Sequence, residues 1–277
     1  MNNDTDPRPT LVLPGAGNTG RRVARLLTEA GVPIRALSRS TRPAFDWTQP
    51  ADWPAVLSGA RAAYLAYVPD IAAPGSADAL GEFGRAAANA GLERLVLLSG
   101  RGEPETVIAE GRLQEAGVAT AVLRSNWFAQ NFTEGFLAEL TIDGVLALPV
   151  DEVLEPFTDV DDLAEAAVSL LTRATASDDT FTVSGARALS FTDAVAELSV
   201  ATGDQLRFEP VSMADFLLGL EAFGVPSDYR ELFAYLFSEV LDGRNSVPGD
   251  GIEQVLGRPA TDFGDFARRV AADRLPA

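Results

Sequence analysis

The sequence predicts an α/β protein: a doubly wound parallel sheet followed by a small, mainly helical C-terminal substrate lobe. Three observations carry this. Over the first half of the 277 residues, apolar runs of four to six alternate with amphipathic stretches of ten to fifteen, as strand-helix-strand units do when helices cover both faces of a parallel sheet. Gly31, Gly91 and Gly117 each stand where a helix should stop before the next strand, the place of a left-handed C-terminal cap. From about Asn126 the rhythm changes to helices with short intervening strands.

In order, TLVL is a strand, NTGRRVARLLTEAG a helix, and PIRALS and RAAYLAYV the next strands. SADALGEFGRAAANAG is a helix, ERLVLLS a strand, ETVIAEGRLQEAG a helix and ATAVLR a strand. Beyond Asn126, NWFAQNFTEGFLAEL reads as helical, Asp143-Gly144 as a turn, VLALPV as a short strand and DVDDLAEAAVSLLTR as a helix. FTVSG is a strand, and Ser190 with Asp193 and Ser212 with Asp215 form capping boxes that open two further helices. GIEQVLG and DFGDFARRVAADRL complete the helical tail. The expected division is a nucleotide-binding domain over 1–155, its sheet completed from 156–185, and a substrate lobe over 186–277 to which part of 126–150 contributes. No internal repeat or long linker interrupts it.

Composition excludes several chemistries. All 22 basic residues are arginine, and histidine and cysteine are absent. Ser-His-Asp and Cys-His catalysis, imidazole or thiolate zinc sites, lysine Schiff bases and a Walker-type lysine are therefore impossible. A formal charge of -18 repels phosphate backbones, so no nucleic-acid partner is expected. No apolar run approaches the ~20 residues of a membrane helix, and the polar start MNNDTDPRPT is unlike a secretory signal. The expectation is a cytoplasmic protein, monomer or homodimer, acting on a small molecule without a metal. Asp159, Asp161 and Asp162 read as acidic residues complementing a helix N-terminus.

Gly15, Gly17 and Gly20 match G-x-G-x-x-G between a strand and a helix. In that context the pattern marks a Rossmann-type dinucleotide turn, where glycine lets the backbone approach a pyrophosphate at the helix N-terminus. NAD-binding proteins of this architecture place a carboxylate after the second strand; here the segment is Ser38-Arg39-Ser40, with Arg42 beyond. A guanidinium suits the 2′-phosphate of NADPH, so NADPH (NADP+) is favoured, with Ser38 and Arg39 as its readers. Arg21, Arg22, Arg39 and Arg42 would form a local anion-focusing knot in an otherwise acidic chain.

LVLPGAGNTGRRVARLLTEAGVPIRALSR, FDWTQPADW, ERLVLLSG, LRSNWFAQNF and PFTDVDDLAEAAVSLLT together resemble the NmrA-like atypical short-chain dehydrogenase/reductases. The chain is especially similar to the branch containing ergot alkaloid (agroclavine) dehydrogenases and bacterial antibiotic-pathway ketoreductases that lack the Tyr-Lys pair. The resemblance implies that Gly17, Asn18, Thr19 and Gly20 contact the pyrophosphate and that Arg39 reads the 2′-phosphate. It also places Ser99 beside the nicotinamide, though a hydroxyl capping the following turn reads equally well. Two departures stand out. The family turn GATGxTG would put its first glycine at Pro14, where proline has no N–H and a fixed φ; Gly15 takes over that place. Ordinary short-chain reductases carry Tyr-x-x-x-Lys on the helix that here reads ETVIAEGRLQEAG, and neither residue is in it.

Hydride transfer without that acid, worth about 10²–10⁴-fold, favours acceptors that need little help. One is an aromatic polyketide-like ketone activated by its own phenol; another is an imine or iminium. A third reading is a non-catalytic NADP-binding regulator of NmrA type. Candidate pocket residues are Tyr67, also near the cofactor, with Asn126, Trp127, Phe128 and Asn131 after ATAVLR, and Phe132 beside them. Phe157, Phe216 and Tyr229 join them from the later segments.

Overall fold

The computed structural model of the protein describes residues 6–274. In chain order these begin with β1 (Thr10–Leu13), α1 (Asn18–Glu29), β2 (Ile34–Ala36), α2 (Trp53–Leu57), β3 (Ala62–Ala66) and α3 (Ser76–Asn89). β4 (Arg94–Gly100), α4 (Pro104–Gln114), β5 (Ala119–Ser125), α5 (Phe136–Glu139), β6 (Thr141–Ile142), β7 (Val145–Leu148) and α6 (Val160–Thr172) follow. β8 (Thr180–Val183), α7 (Phe191–Thr202), β9 (Arg207–Pro210), α8 (Met213–Ala222), α9 (Ser227–Tyr235), α10 (Gly251–Leu256) and α11 (Phe263–Asp273) complete the order. No helix among them is long and apolar enough to cross a membrane.

The chain forms two compact units. The first runs to Ser125 and regains the chain over Val160–Val183 and Gly251–Arg258; the second takes Asn126–Asp159, Ser184–Asp250 and the described residues from Pro259 on. The second unit thus includes Asn126–Asp159, part of which was expected to contribute to the lobe, and Gly251–Arg258 groups with the first unit.

The first unit is a six-stranded sheet in the order β2-β1-β3-β4-β5-β8, parallel throughout. Apolar runs rather than alternation are what a sheet covered on both faces requires, and Leu11, Val12, Leu13, Ala62, Ala63, Tyr64 and Leu65 are all fully buried. α1 ends as its glycine predicts: Gly31 takes φ +71°, and the Val32 and Gly31 N–H groups return to the carbonyls of Leu27 (2.9 Å) and Thr28 (3.0 Å). Gly91 and Gly117 close α3 and α4 in the same conformation. FDWTQPADW supplies core rather than site: Phe45, Trp47 and Trp53 gather around Phe83, with ring centroids 5.3 Å apart for Trp47–Phe83 and 5.4 Å for Trp53–Phe83.

The second unit holds a three-stranded sheet, β6-β7-β9, over an aromatic core. Asp143 (φ +49°) and Gly144 (φ +79°) turn β6 back onto β7, as two consecutive left-handed residues do in a tight hairpin. Both capping boxes form: the Asp193 and Asp215 N–H groups donate to Ser190 Oγ and Ser212 Oγ at 3.0 and 3.1 Å. Two differences from the sequence reading appear here. NWFAQNFTEGFLAEL is not one helix but a 3₁₀ turn over Ala129–Phe132 followed by the single-turn α5. The cause is competition: the Trp127 carbonyl and the Ala129 N–H are taken by the Thr158 backbone at 2.7 and 2.9 Å, which leaves them unable to enter a helical ladder. The segment RFEP, unassigned from sequence, pairs in parallel with β7 as β9; it is short, ends in proline and is mostly exposed, so no apolar period announced it.

Candidate functional site

β1 continues outward to β2, and the chain then returns to β3 on the other side of β1. That reversal creates a switch point, where open α/β sheets leave a crevice at the strand carboxyl ends. The glycine turn lies on one side of the crevice and Tyr67, just past β3, on the other. The turn is locked to the β2 loop: the Gly15 N–H donates to the Leu37 carbonyl at 2.7 Å, immediately before Ser38 and Arg39. The Leu13-Pro14 peptide is cis.

The three motif glycines are required for different reasons. A Cβ on Gly15 would stand 2.6 Å from Ala36 Cβ, and one on Gly20 would stand 2.1 Å from the Pro14 carbonyl oxygen. These two are demanded by the fold. Gly17 is not: its Cβ would meet nothing closer than Pro14 at 3.8 Å, and its backbone is extended at φ -70°. Glycine there keeps space open to something outside the chain, against the N-terminus of α1, which has no side-chain cap and no acidic residue in its first turn. A dinucleotide pyrophosphate fits that space and charge. Asn18 Oδ1 accepts from Arg21 at 3.1 Å, and Arg22 donates to Asn18 and, at 2.9 Å, to Asp161; Thr19 is buried at the start of the helix.

Beyond β2, buried Ser38 organises its loop: its N–H donates to Thr41 Oγ1 at 3.0 Å, its carbonyl accepts from Phe45 N–H at 3.0 Å, and its Oγ lies 3.0 Å from Ser40 Oγ. Arg39 is exposed and makes no hydrogen bond among the described residues. Its charge assists the Thr48 N–H and hydroxyl in holding the Asp46 carboxyl below the usual carboxylate range. Arg42 donates only to the neighbouring Thr41 carbonyl, at 2.9 Å. Of the expected knot, Arg39 therefore presents its guanidinium, while Arg22 is committed to Asp161. Tyr67 packs on Trp47 with ring centroids 5.0 Å apart, and partial burial pushes its phenol pKa up.

Ser99, at the end of β4, is 2% exposed and donates its proton to Glu110 Oε1 at 2.5 Å. Glu110, itself 3% exposed, is also gripped by Arg124 Nε at 2.9 and 3.0 Å, and this contact raises the arginine's pKa. Arg124 faces Ser99 across the β4–β5 pair. The helix that lacks Tyr-x-x-x-Lys thus uses its inward face to neutralise an arginine. Sequence reasoning passed over Glu110; the signal was its place on the buried stripe Thr106, Ala109, Glu110, Leu113, where an unpaired carboxylate would be prohibitively costly.

In the second unit, Asn126 is 5% exposed and donates to Glu155 Oε1 at 2.8 Å, and the Trp127 N–H donates to the same oxygen at 3.1 Å. Trp127 and Phe128 are partly exposed, as is Asn131. Phe157 (2% exposed) and Phe216 (5%), anticipated as pocket lining, are core instead: Phe157 packs edge-on to Phe132 and Phe191 at 5.0 and 5.1 Å, and Phe216 to Phe237 at 5.2 Å. The edge-to-face contacts hold them inside. Tyr229 lies exposed on α9. The acidic triplet divides among arginines: Asp161 receives Arg22, Asp162 receives Arg258 at 2.8 Å, and Asp159 receives Gln130 at 2.7 Å and Arg269.

The chain is 28% identical to agroclavine dehydrogenase of Claviceps fusiformis, over 92% of this chain and 95% of that protein. That similarity runs along nearly the whole of both chains. It is also 27% identical to the NAD(P)H azoreductase of Xenophilus azovorans, over 95% of this chain and 98% of that one. Its fold is that of the Citrobacter sp. triphenylmethane reductase solved with NADP(H), with a TM-score of 0.78, 18% identity, and 95% and 99% of the two chains covered. No protein-family profile matches the chain. The chain thus matches these relatives along nearly their whole length.

Proposed function

We propose that the protein is an NADPH-dependent reductase that delivers hydride to an aromatic carbonyl, a hydroxylated quinone or polyketide-like ketone. The observation that carries the cofactor is Gly17: the fold leaves room for a side chain there, yet the residue is glycine beside an uncapped helix N-terminus. Gly15, Gly17, Asn18, Thr19 and Gly20 hold the pyrophosphate, and Ser38 and Arg39 the 2′-phosphate. Arg39 suits that role because its guanidinium is exposed and makes no hydrogen bond of its own. When bound, NADPH supplies the hydride. This chain binds, orients and desolvates. Tyr67 flanks the nicotinamide end of the crevice, while Ser99 supports the β4–β5 pair through Glu110 rather than giving up a proton, because its single hydrogen is already committed to a carboxylate.

One relative is named an NAD(P)H azoreductase and another agroclavine dehydrogenase; for this chain the acceptor is restricted to one that needs no protonation by a side chain. A chain with no histidine, lysine or Tyr-x-x-x-Lys fits the same restriction. The test is NADPH oxidation with a panel of hydroxylated quinones and cyclic imines. Turnover of quinones is the expected result; turnover of imines alone transfers the substrate to the iminium class. Tight NADP+ binding with no turnover of any member would mark a regulator.

A further inference from the structure

Tyr64 lies in β3, opposite Val12 of β1 on one side and Val96 of β4 on the other, and is fully buried. Its phenol oxygen has no hydrogen-bond partner among the described residues. Burying a hydroxyl without a partner is costly, and phenylalanine would fill the same place in this apolar sheet without that penalty. A buried donor left unsatisfied in a native fold calls for an explanation.

What the phenol faces supplies one. Its polar neighbour is the Thr19 hydroxyl, which opposes the strong upward push of burial on the phenol pKa, yet the two groups do not close a hydrogen bond. Thr19 belongs to the first turn of α1, where there is neither a side-chain cap nor an acidic residue. It keeps 6% exposure where Tyr64 has none, so the threonine stands on the outward side of the pair. Val12, the partner of Tyr64 across the sheet, is one residue short of the end of β1, and the glycine turn follows at once. β1, α1 and β3 all belong to the first unit. A sealed donor therefore sits directly behind a helix N-terminus that is open to an anion.

A hydroxyl has one proton to give and two lone pairs with which to accept. A tyrosine behind the threonine donates forward to one of those lone pairs, and the threonine's own proton is then turned outward. Resting on the NADPH reading, we propose that Tyr64 is a positioning residue of the pyrophosphate site: its O–H donates to Thr19 Oγ1, and the Thr19 O–H donates to a pyrophosphate oxygen. The relay closes when the anion is in place, because the negative charge draws the Thr19 proton outward and polarises the bond behind it. Tyr64 does not touch the ligand, and no proton changes owner. The unsatisfied hydroxyl weakens the empty protein and is satisfied on binding, so its contribution falls on affinity.

Tyr64→Phe keeps the ring and deletes the donor. Without ligand, the full-length variant should melt at the wild-type temperature or up to about 3 °C above it, while its NADP+ affinity falls about fivefold. Thr19→Val should weaken NADP+ binding about thirtyfold. The double variant should bind as Thr19→Val does, to within about twofold, since the tyrosine acts through the threonine. Thr19→Ser retains the hydroxyl and should stay within about threefold of wild type while remaining sensitive to Tyr64→Phe. A ligand-free melting temperature lowered by about 2 °C or more in Tyr64→Phe would mean that the hydroxyl is already satisfied in the empty protein, by a buried water, and overturns the proposal. Unchanged NADP+ affinity, or losses that add in the double variant, overturn it as well. Thr19→Ala replaces the valine variant if that one unfolds. Wild-type protein that binds no NADP+ fails the NADPH reading; wild type that binds it no better than Tyr64→Phe fails only the relay.

Discussion

A Cβ on Gly20 would fall 2.1 Å from the carbonyl oxygen of Pro14, inside any allowed contact, while the same atom on Gly17 would reach Pro14 only at 3.8 Å. Of two glycines in one motif, therefore, the fold demands Gly20 and leaves room for a side chain at Gly17.

Gly20→Ala is expected to destabilise the protein by about 3 kcal/mol or more, since backbone rather than a flexible side chain must yield. Gly17→Ala should keep its melting temperature within about 2 °C, because an alanine fits its extended backbone and surroundings, while NADP+ binding weakens at least about tenfold. Thermal melts and NADP+ titrations on both variants check this; equal destabilisation by the two would remove the distinction.

Arg39→Asp reverses the charge offered to a 2′-phosphate. NADPH affinity should fall about 10²-fold or more, and NADH affinity should change little or rise. Parallel titrations with the two dinucleotides decide it, and matching losses would sink the assignment of Arg39.

The Glu110–Arg124 pair supports structure and should be separable from chemistry. Glu110→Ala leaves Arg124 half-buried without its partner and should cost about 2–3 kcal/mol, whereas Glu110→Leu combined with Arg124→Met should recover much of that loss. Ser99→Ala should retain activity within about tenfold. A 10³-fold loss would show that the serine hydroxyl is the acid after all.

Acid stability should depend on Asp262, which caps α11 by accepting from Gly264 N–H at 2.8 Å. The Arg187 guanidinium, 2.6 Å away, holds its carboxyl below the usual carboxylate range. A carboxylate with a depressed folded-state pKa contributes above its unfolded value and loses that contribution as pH falls through the folded one. Asp262→Asn preserves the cap and should lower the melting temperature at pH 7, with the gap closing as pH falls below the ordinary carboxylate range of about 4. A gap constant with pH would exclude the ion pair as its source.

What could be read from residues alone follows the range of the forces. The sheet and its helices were legible because apolar period, glycine stops and capping serines act within a few residues, as at Gly31 and Ser190. The strand-turn-helix carrying Gly15, Gly17 and Gly20 was legible for the same reason. The bond from Asn126 to Glu155, 29 residues away, leaves no local trace. Phe157 and Phe216 were anticipated at a pocket for want of knowledge of which rings face each other.

The first unit is assembled from three separate stretches of chain, and its last contributor, α10, packs so closely on β8 that a Cβ on Gly251 would lie 2.5 Å from the Thr182 carbonyl. During synthesis on the ribosome, β5 has no neighbour on its outer side until β8 emerges, and β8 lacks this cover until nearly the whole chain has been made. An open parallel edge is a template for unwanted pairing. Nascent chains truncated before residue 251 should therefore be held by chaperones, and the complete chain released.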